Sequence, residues 1–409
     1  MNFVQIKEEE YRKFWEDHPL KTFLSSKEIA KLREKSGWKS YFVGLKEKNK
    51  LKAAAMLLSH KRHFGKNEFY SPRGVLVDYK DEKVFKQFLE EIKKFVKENN
   101  GYVFRMDPYI IYKERDIDGN VVKDGEDNSD VVNFLKEFGF KKIKTEDEEQ
   151  VSWMFSLGLE GKDEKEILKE MKPNTRNTIR KAEKIGITIK ELKYDELDRF
   201  QKIMEETGER KSFSVRDISY YQNMYKLFSD KGEVKYFITE LNLKEYIKKL
   251  KEEKKVKEDK YNNLSDAKYN DGQKKGLTNE INAIDRRIKD AEDIRNDKKN
   301  DIITLSGSMF IIIKPEIIYL SSGNYSEFMK FNSQYLLQWM MIKYGIEHGF
   351  KKHNFYGIPA NINTHPKDYG IYEFKRGFNG YVEELIGEFE LPITYHYKLL
   401  KLIHKIKNH

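Results

Sequence analysis

The sequence has no cysteine and only nine histidines among its 409 residues. The first absence excludes disulfide bonds, thiolate zinc sites and cysteine nucleophiles, and it is compatible with a reducing compartment. The histidines are scattered without the spacing of a metal site, so metal binding has poor support. We therefore predict neither a metal nor another cofactor.

Long apolar runs are missing as well. No stretch approaches the roughly 20 apolar residues that a membrane-spanning helix requires, and residues 1–19 lack the apolar core of a signal peptide. We therefore expect a soluble, cytoplasmic protein. Residues 395–409 form a basic amphipathic pattern. This pattern leaves two alternatives open, packing against the body or a peripheral position at the cytoplasmic face of the plasma membrane.

The common catalytic signatures are also absent. The sequence has no P-loop, dinucleotide-binding glycine motif, nucleophile elbow, H-E-x-x-H motif or acetyl-CoA pyrophosphate loop. It does have enough apolar and aromatic residues (38% and 13%) for real cores, a length that predicts two domains, and a net charge of +10. That charge fits either a solvated lysine-rich surface or a polyanionic partner, namely nucleic acid or an anionic membrane.

A long, highly charged helical segment is the clearest feature that is present. Over residues 243–264 apolar residues recur at alternating steps of four and three, and this spacing resumes at 277–291 after a polar break. Lys254 and Lys257 occupy two positions of the apolar seam. The pattern predicts two helices of an antiparallel coiled-coil hairpin, each about 30 Å long. Such an arm serves either a large partner or dimerisation.

The remainder of the chain has the pattern of two similar halves, each with the order β-β-β-α-β. In the second half the hairpin takes the position that the turn at 46–50 has in the first, which indicates an internal duplication. We predict a mixed α/β (α+β) fold with two tandem domains and the hairpin inserted in the second. The predicted ranges are 1–155 for the first domain, 156–241 with 300–391 for the second, 242–299 for the arm, and 392–409 for a C-terminal basic helix.

Individual elements follow from periodicity and from stop signals. Ahead of the second half the pattern predicts helices over 173–185, 195–207 and 218–228, and after the arm a strand over 302–313. The helix at 173–185 begins with a proline and ends before a glycine, which is the usual asymmetry of helix ends.

Several polar residues stand where an element begins or ends. Arg73 precedes a glycine, and Asp107 is followed by a proline that cannot continue a strand ladder. Residues 172–186 form a basic helix, residues 207–221 concentrate basic residues and tyrosines, and Lys375 lies among apolar neighbours. Each feature alone is typical of a structural turn or a solvated face. Together, arginine, lysine, tyrosine and one carboxylate fit a large anionic ligand.

These residues also carry a resemblance to a known family. The stretches concerned, in order around the helical insertion, are YSPRGVLVDY, RMDPY, KPNTRNTIRKAEKIG, TGERKSF, YLLQWMMIKYGIEHG, NFYGI and GIYEFKRGF. The set resembles the Fem family, the peptidoglycan interpeptide-bridge aminoacyltransferases, from residue 23 to residue 391. It implies two acetyltransferase-like (GNAT) domains. It also implies transfer of an amino acid from aminoacyl-tRNA to an amino group of the stem peptide or growing bridge of a cell-wall precursor.

The resemblance implies roles for particular residues. Lys375 matches the lysine that is considered catalytic, and Tyr102 and Asp107 fall where the family contacts the muramyl-peptide precursor. Arg216 and Tyr220 match positions that hold nucleotide or phosphate groups. Asp107 is expected either to act on the attacking amine or only to bind the peptide.

Other positions depart from the family pattern. Arg33 stands where the family has a lysine and keeps the positive charge, although the glutamine and tryptophan of that pattern are missing. Ser321 stands where some members have a substrate-contacting tyrosine, and Tyr319 is the expected substitute. Arg73 is expected to join the substrate-binding residues.

The implied reaction needs little from the protein. The ester of aminoacyl-tRNA is already activated, so neither ATP nor a covalent intermediate is required. A fixed cation such as Lys375 would stabilise the oxyanion of the tetrahedral intermediate. The alternative for Lys375 is a surface lysine whose stem packs on Phe374 and Phe378.

The implied partners are aminoacyl-tRNA and a peptidoglycan precursor, either lipid II or UDP-MurNAc-pentapeptide. The arm and the basic helix are expected to contact tRNA phosphates through Lys172, Arg176, Arg180, Lys254 and Lys257. A transient contact with the inner membrane face, and a homodimer or hetero-complex with related transferases, are left open.

Two rival functions remain at this point. One is a CoA-dependent GNAT acetyltransferase on the same fold, against which the missing pyrophosphate loop argues. The other is a catalytically inactive RNA-binding or immunity-type module that has kept the fold.

Overall fold

The computed structural model describes residues 1–360 and 366–407. Its strands form a seven-stranded and an eight-stranded sheet, so the predicted mixed α/β class is confirmed. The first sheet contains β1 (Asn2–Gln5), β2 (Lys39–Glu47), β3 (Lys50–Lys61), β4 (Asn67–Ser71), β5 (Gly101–Met106), β7 (Lys141–Lys142) and β15 (Phe389–Pro392). The second contains β6 (Ile111–Glu114), β8 (Trp153–Gly158), β9 (Thr188–Glu191), β10 (Val234–Asn242), β11 (Ile302–Ile313), β12 (Glu316–Asn324), β13 (Lys352–Gly357) and β14 (Tyr381–Leu385).

Helices cover both sheets and separate their strands. Those of the first half and the connection are α1 (Glu8–Asp17), α2 (Lys27–Glu34), α3 (Glu82–Glu98), α4 (Ser129–Phe138), α5 (Glu164–Glu170), α6 (Pro173–Ile185), α7 (Leu197–Lys211) and α8 (Ile218–Phe228). The later ones are α9 (Leu243–Asn262), α10 (Asp271–Lys298), α11 (Ser333–Glu347), α12 (Pro366–Arg376) and α13 (His396–Lys407).

The two halves repeat one topology. In the first sheet β2, β3, β4 and β5 are neighbours in that order, and in the second sheet β10, β11, β12 and β13 are. The last two strands of each set pair in parallel, β4 with β5 and β12 with β13, and a helix connects each parallel pair. Parallel neighbours need such a crossover, whereas the antiparallel ones are joined by turns. The predicted β-β-β-α-β order is therefore present in both halves.

The crossover helix of the first half illustrates why the sequence forms it. The side chain of Asp81 accepts a hydrogen bond from the backbone N–H of Val84 and caps the first turn. The apolar residues recur on one face and all are buried: Val84, Phe85, Phe88, Leu89, Ile92, Phe95 and Val96. This face packs on the sheet and forms the first core with it.

Two short strands join the sheet of the other half. Strand β6 follows β5 in the chain but pairs with β14 in the second sheet, and β15 pairs with β5 and β7 in the first sheet. Arg105 on β5 reinforces the second exchange, because its Nε donates to Glu388 beside β15 at 2.6 Å. Sheet membership therefore does not follow the predicted ranges: 1–155 includes β6, and the second range ends inside β15. The division into domains stays a prediction.

The helical arm lies between β10 and β11, where the first half has a tight turn between β2 and β3. Helices α9 and α10 run antiparallel and are joined by ion pairs, among them Lys254 to Asp285 at 2.7 Å and Lys257 to Glu280 at 2.5 Å. Helix α10 begins at Asp271, inside the segment predicted to be a polar break. The two glycines of that segment have no neighbour within 4 Å of an added Cβ. Glycine lowers helix stability only modestly, so the helix continues through both positions.

The C-terminal helix α13 packs partly on the body. Tyr397 and Leu400 are buried, and the Tyr397 hydroxyl donates to Glu390 at 2.5 Å. Residues 408–409 of the predicted helix lie outside the described residues. Among the helices of residues 1–360 and 366–407, none combines the length and the apolar character needed to cross a bilayer.

Candidate active site at the junction of the two halves

Asp107 lies directly after β5, at the end of the parallel pair of the first half. Its Oδ1 accepts hydrogen bonds from the Tyr70 hydroxyl at 2.8 Å and from the Arg73 backbone N–H at 2.9 Å. The Arg73 Nη1 lies 3.3 Å from Oδ2. Asp107 is only 2% exposed. The proline that follows ends the strand, as predicted, and the carboxylate is held by two neighbouring residues of β4 and the turn after it.

Arg73 occupies a tight turn after β4. It has φ = 56° and Gly74 has φ = 85°, both in the left-handed region. A Cβ on Gly74 would lie 2.8 Å from Pro108 Cα, so only glycine allows this approach to the Asp107 loop. The turn directs the guanidinium inward, where its Nη2 donates to the Val151 carbonyl at 2.8 Å.

The pKa of Asp107 reflects this enclosed environment. Burial raises it to about 6, while the charge of Arg73 and the hydrogen bond from Tyr70 oppose the shift. A carboxyl group with this pKa is mostly ionised at neutral pH but can still bind a proton. Such a group fits proton transfer better than an ordinary surface carboxylate does.

Tyr356 lies at the equivalent end of the parallel pair of the second half. The pairing of β13 with β8 shifts between Asn354 and Gly357, and Tyr356 has φ = 64°. The Asn354 side chain accepts the Tyr356 backbone N–H at 2.8 Å and holds the irregularity. Burial raises the pKa of the Tyr356 hydroxyl, and Arg73 opposes this through its charge and a hydrogen bond. The two halves therefore meet at Arg73 and Tyr356.

Lys375, near the end of α12, reaches the same strand irregularity. Its Nζ donates to the carbonyls of Tyr356 at 3.2 Å and Gly357 at 2.5 Å. It is 5% exposed, so it is not the surface lysine of the alternative interpretation. Burial lowers the pKa of its ammonium group to about 7, with a further contribution from the charge of Lys211. The amine therefore titrates near neutral pH.

A cationic rim next to Tyr356 is formed by residues of both halves, Arg33 on α2 and Arg216 just before α8. The Arg216 guanidinium lies over the Tyr220 ring, 5.4 Å from its centre. Burial raises the pKa of Tyr220, Tyr356 adds to the shift, and Arg216 and Arg33 oppose it. The predicted residues Arg33, Arg216 and Tyr220 thus belong to one neighbourhood. Arg33 also forms an ion pair with Glu149 at 3.4 Å.

Two predicted site residues lie elsewhere. Tyr102 lies near the start of β5, at the far end of the strand from Asp107, and its charged neighbours include Glu68 and Arg62. Tyr319 is buried with Phe310 in the core of the second half, and its hydroxyl donates to Gln334 at 3.2 Å. Residues two apart on a regular strand share a face, but the pairing of β11 with β12 shifts between Met309–Ser321 and Phe310–Tyr319. This bulge interrupts the alternation, so Ser321, whose hydroxyl lies against Met204, is not on the face of Tyr319.

Sequence reasoning missed a buried network beside the site. The Tyr109 hydroxyl donates to Glu316 at 3.0 Å, and Lys352 lies 2.8 Å from Glu383 and 3.3 Å from Glu316. The Tyr109 ring is contacted by both Lys352 and Arg73. The available signal was a tyrosine two positions after Asp107. Its partners come from three distant strands and could not be chosen from the sequence.

Most of the predicted tRNA contacts already have partners. Lys254 and Lys257 bridge the two helices of the arm, and Arg176 donates to the carbonyls at the end of α5, with Lys169 at 2.6 Å. Lys172 forms an ion pair with Glu373 at 3.2 Å. Arg180 is exposed on α6.

A basic groove lies at the base of the arm instead. It has a volume of about 580 Å³ and an apolar floor that includes Leu250 and Phe331. Its basic lining residues are Lys181, Lys184, Lys249, Arg287 and Lys330. Arg287 and Lys330 are paired with Glu253 and Asp290. Across the described part of the chain, no three acidic or histidine side chains are grouped so as to hold a metal ion.

The chain is similar to known proteins over its whole length. The model of the FemAB family matches residues 6–405. Two aminoacyltransferases of Staphylococcus epidermidis are each 30% identical to this chain over its whole length, FemA with 100% of its own length covered and FemB with 99%. A crystal structure of FemX covers 98% of this chain and 100% of its own, with a TM-score of 0.75 and 26% identity.

Proposed function

The chain belongs to the FemAB family, and from that premise we propose that it transfers an amino acid from aminoacyl-tRNA to an amino group of a peptidoglycan precursor. The acceptor amine is on the stem peptide or growing bridge of lipid II or UDP-MurNAc-pentapeptide. Support comes from two relatives named aminoacyltransferases that match the full length of the chain.

Two buried titratable side chains at the junction of the halves support the proposed reaction. At the junction of the halves a carboxyl group and an amine are both buried and both titrate near neutral pH. Asp107 comes from the first half and Lys375 from the second, and Arg73 and Tyr356 lie between them. Buried titratable groups whose pKa values are shifted toward neutrality are typical of catalytic sites.

The chemistry is aminolysis of an ester. The acceptor amine attacks the ester carbonyl and forms a C–N bond, and its surplus proton passes to the ionised Asp107. Protonated Lys375 stabilises the oxyanion and then gives a proton to the departing ribose oxygen as the C–O bond breaks. One proton is taken up and one is delivered, so the reaction requires no cofactor. Holding the two substrates together contributes about 7–11 kcal/mol of the lowered barrier.

We assign the anionic parts of the substrates to the basic surfaces. Arg33, Arg216 and Tyr220 hold phosphate groups of the precursor, because they form the cationic rim next to Tyr356. The tRNA backbone occupies the groove at the base of the arm, where Lys181, Lys184 and other lysines point to one space. Such contacts recognise charge and shape rather than sequence.

We assign contact with the membrane surface to helix α13. Leu399 and Leu402 of this basic helix are 46% and 57% exposed. An amphipathic helix that exposes leucines beside a lysine such as Lys398 can lie on an anionic membrane surface, which would bring the enzyme close to a lipid-linked acceptor.

The test is transfer of radiolabelled amino acid from a charged tRNA pool to each precursor. We expect label in the precursor, lost after RNase treatment and strongly reduced by Lys375→Ala. The matched control is Lys343→Ala, a partly exposed lysine on α11. Absence of transfer from every charged tRNA, to both unmodified and pre-branched acceptors, would overturn the proposal and favour an RNA-binding module. Acetyl transfer from acetyl-CoA would favour the acetyltransferase.

A further inference from the structure

The route from Asp107 to Lys375 passes through two residues with no assigned role in it. Arg73 contacts Asp107 through its backbone N–H and its guanidinium. The same guanidinium interacts with the Tyr356 hydroxyl, and the Tyr356 carbonyl accepts the Lys375 amine at 3.2 Å. The contacts of Arg73 with Asp107 and of Lys375 with the Tyr356 carbonyl are direct, and Arg73 also donates to the Val151 carbonyl at 2.8 Å. Val151 in turn packs against Gly357, the residue after Tyr356, so the Arg73 side chain crosses from one half to the other.

Both linking residues have an unfavourable backbone. Arg73 and Tyr356 have φ values of 56° and 64°. For residues with large side chains this conformation costs free energy and persists only where surrounding contacts enforce it. Contacts that enforce the conformation are present at both residues. Next to Arg73, Gly74 closely approaches Pro108, and at Tyr356 the backbone N–H donates to Asn354. Backbone strain of this kind concentrates at functional sites.

Arg73 has little capacity left for a ligand. Its residue is 3% exposed, and its side chain is engaged with Asp107, the Val151 carbonyl and Tyr356. This contrasts with the expectation that it binds substrate. An arginine held on all sides acts through the groups that it holds.

We propose that Arg73 and Tyr356 are positioning residues that join the two halves and hold Asp107 and Lys375 in one fixed arrangement. The inference rests on the proposed function, since it concerns the geometry of that reaction. The Arg73 charge favours the ionised form of Asp107, and the Tyr356 hydroxyl links the strand irregularity that Lys375 binds to Arg73 of the first half.

Four variants separate positioning from general stability. Tyr356→Phe removes one hydroxyl and keeps the carbonyl that Lys375 contacts, and Arg73→Lys keeps a charge without the planar group. Arg73→Gln removes the charge, and the double variant Arg73→Gln with Tyr356→Phe closes a double-mutant cycle. Matched controls are Tyr344→Phe and Arg12→Gln, which lie on a helix surface.

We expect Tyr356→Phe and Arg73→Gln each to lower kcat about 10- to 100-fold with little change in KM, because small misplacements of reacting groups are costly. The double variant should be little worse than the poorer single one, since the two residues act as a unit. Arg73→Gln should also move the acidic limb of the kcat/KM profile to higher pH, and Arg73→Lys should restore part of that shift. Losses that multiply, or an acidic limb that stays in place, would overturn the inference.

A readout without substrate keeps this test separate from the proposed function. The carboxyl resonance of Asp107, assigned with Asp107→Asn, is titrated by ¹³C NMR in the full chain. We expect a higher pKa in Arg73→Gln than in the wild type and in Arg12→Gln. If the wild type transfers nothing, the proposed function fails while this titration still tests the link. An unchanged pKa would contradict the inference even if transfer were observed.

Discussion

The two halves of the molecule share a topology and place opposite chemistry at the same point. In the first half the parallel strands β4 and β5 end at a carboxylate, Asp107. In the second, β12 and β13 end at a strand irregularity that binds an amine, Lys375. Burial raises the pKa of the acid to about 6 and lowers that of the amine to about 7. One physical effect acting on opposite charges thus brings both groups into the same pH range.

The two halves therefore contribute different chemical groups to one site. A turn or a bulge ends the strand pairing and directs a polar side chain away from the sheet. At the junction, such a side chain of one half can contact residues of the other half. Neither half provides both an acid and a base at this place.

The largest expected loss is that of the carboxylate. Asp107→Asn keeps the size of the side chain but cannot take the proton of the attacking amine, and we expect kcat to fall about 10²- to 10⁴-fold. Initial rates of transfer check this, with Asp130→Asn on the surface of α4 as control. A rise in KM with kcat unchanged would mean that Asp107 only binds the peptide.

Loss of the amine should follow closely. Lys375→Ala removes the donor to the oxyanion, and we expect about a 10²- to 10³-fold lower kcat. Lys375→Arg keeps a permanent positive charge but cannot release its proton near neutral pH. Partial activity of that variant would assign the main effect to charge, whereas full loss would assign it to proton transfer.

The pH profile tests both halves together. Asp107 must be ionised, so kcat/KM should rise as pH increases through about 6; Lys375 must be protonated, so it should fall as pH increases through about 7. At two pH units above the second limb the loss is about 100-fold. Rates from pH 5 to 9 measure this in the wild type. In Lys375→Arg the alkaline limb should disappear, and a wild-type rate that keeps rising above pH 7 would contradict the assignment.

The smallest expected effect is on tRNA binding by the arm. The first half has only a tight turn at the equivalent position. We expect the triple variant Lys181→Ala, Lys184→Ala, Lys249→Ala to weaken tRNA binding about tenfold and to flatten its salt dependence by up to about three units of slope. The pair Lys254→Ala, Lys257→Ala should change it little, because these lysines bridge the arm helices. Filter binding at several salt concentrations checks this. Equal losses in both variants would place the contact along the arm.

Local signals in the sequence predicted much of the fold. Helices α6 and α8 and strand β11 have the predicted bounds, because a proline start, a glycine stop or a continuous apolar run marks them. The exchanged strands β6 and β15 could not be predicted, since their partners are chosen by long-range packing. In the site, Asp107 was marked by its proline, while the contacts of Lys375 and Tyr356 depend on a bulge that no local pattern announces.

The exchanged strand β15 has a consequence for synthesis of the chain. It lies between β5 and β7, so β7 joins the first sheet only through it. On the ribosome the amino-terminal half emerges first, yet its sheet lacks an inner strand until residue 392 has been translated and released from the exit tunnel. Emergence of β15 is therefore the event that completes the sheet of the amino-terminal half.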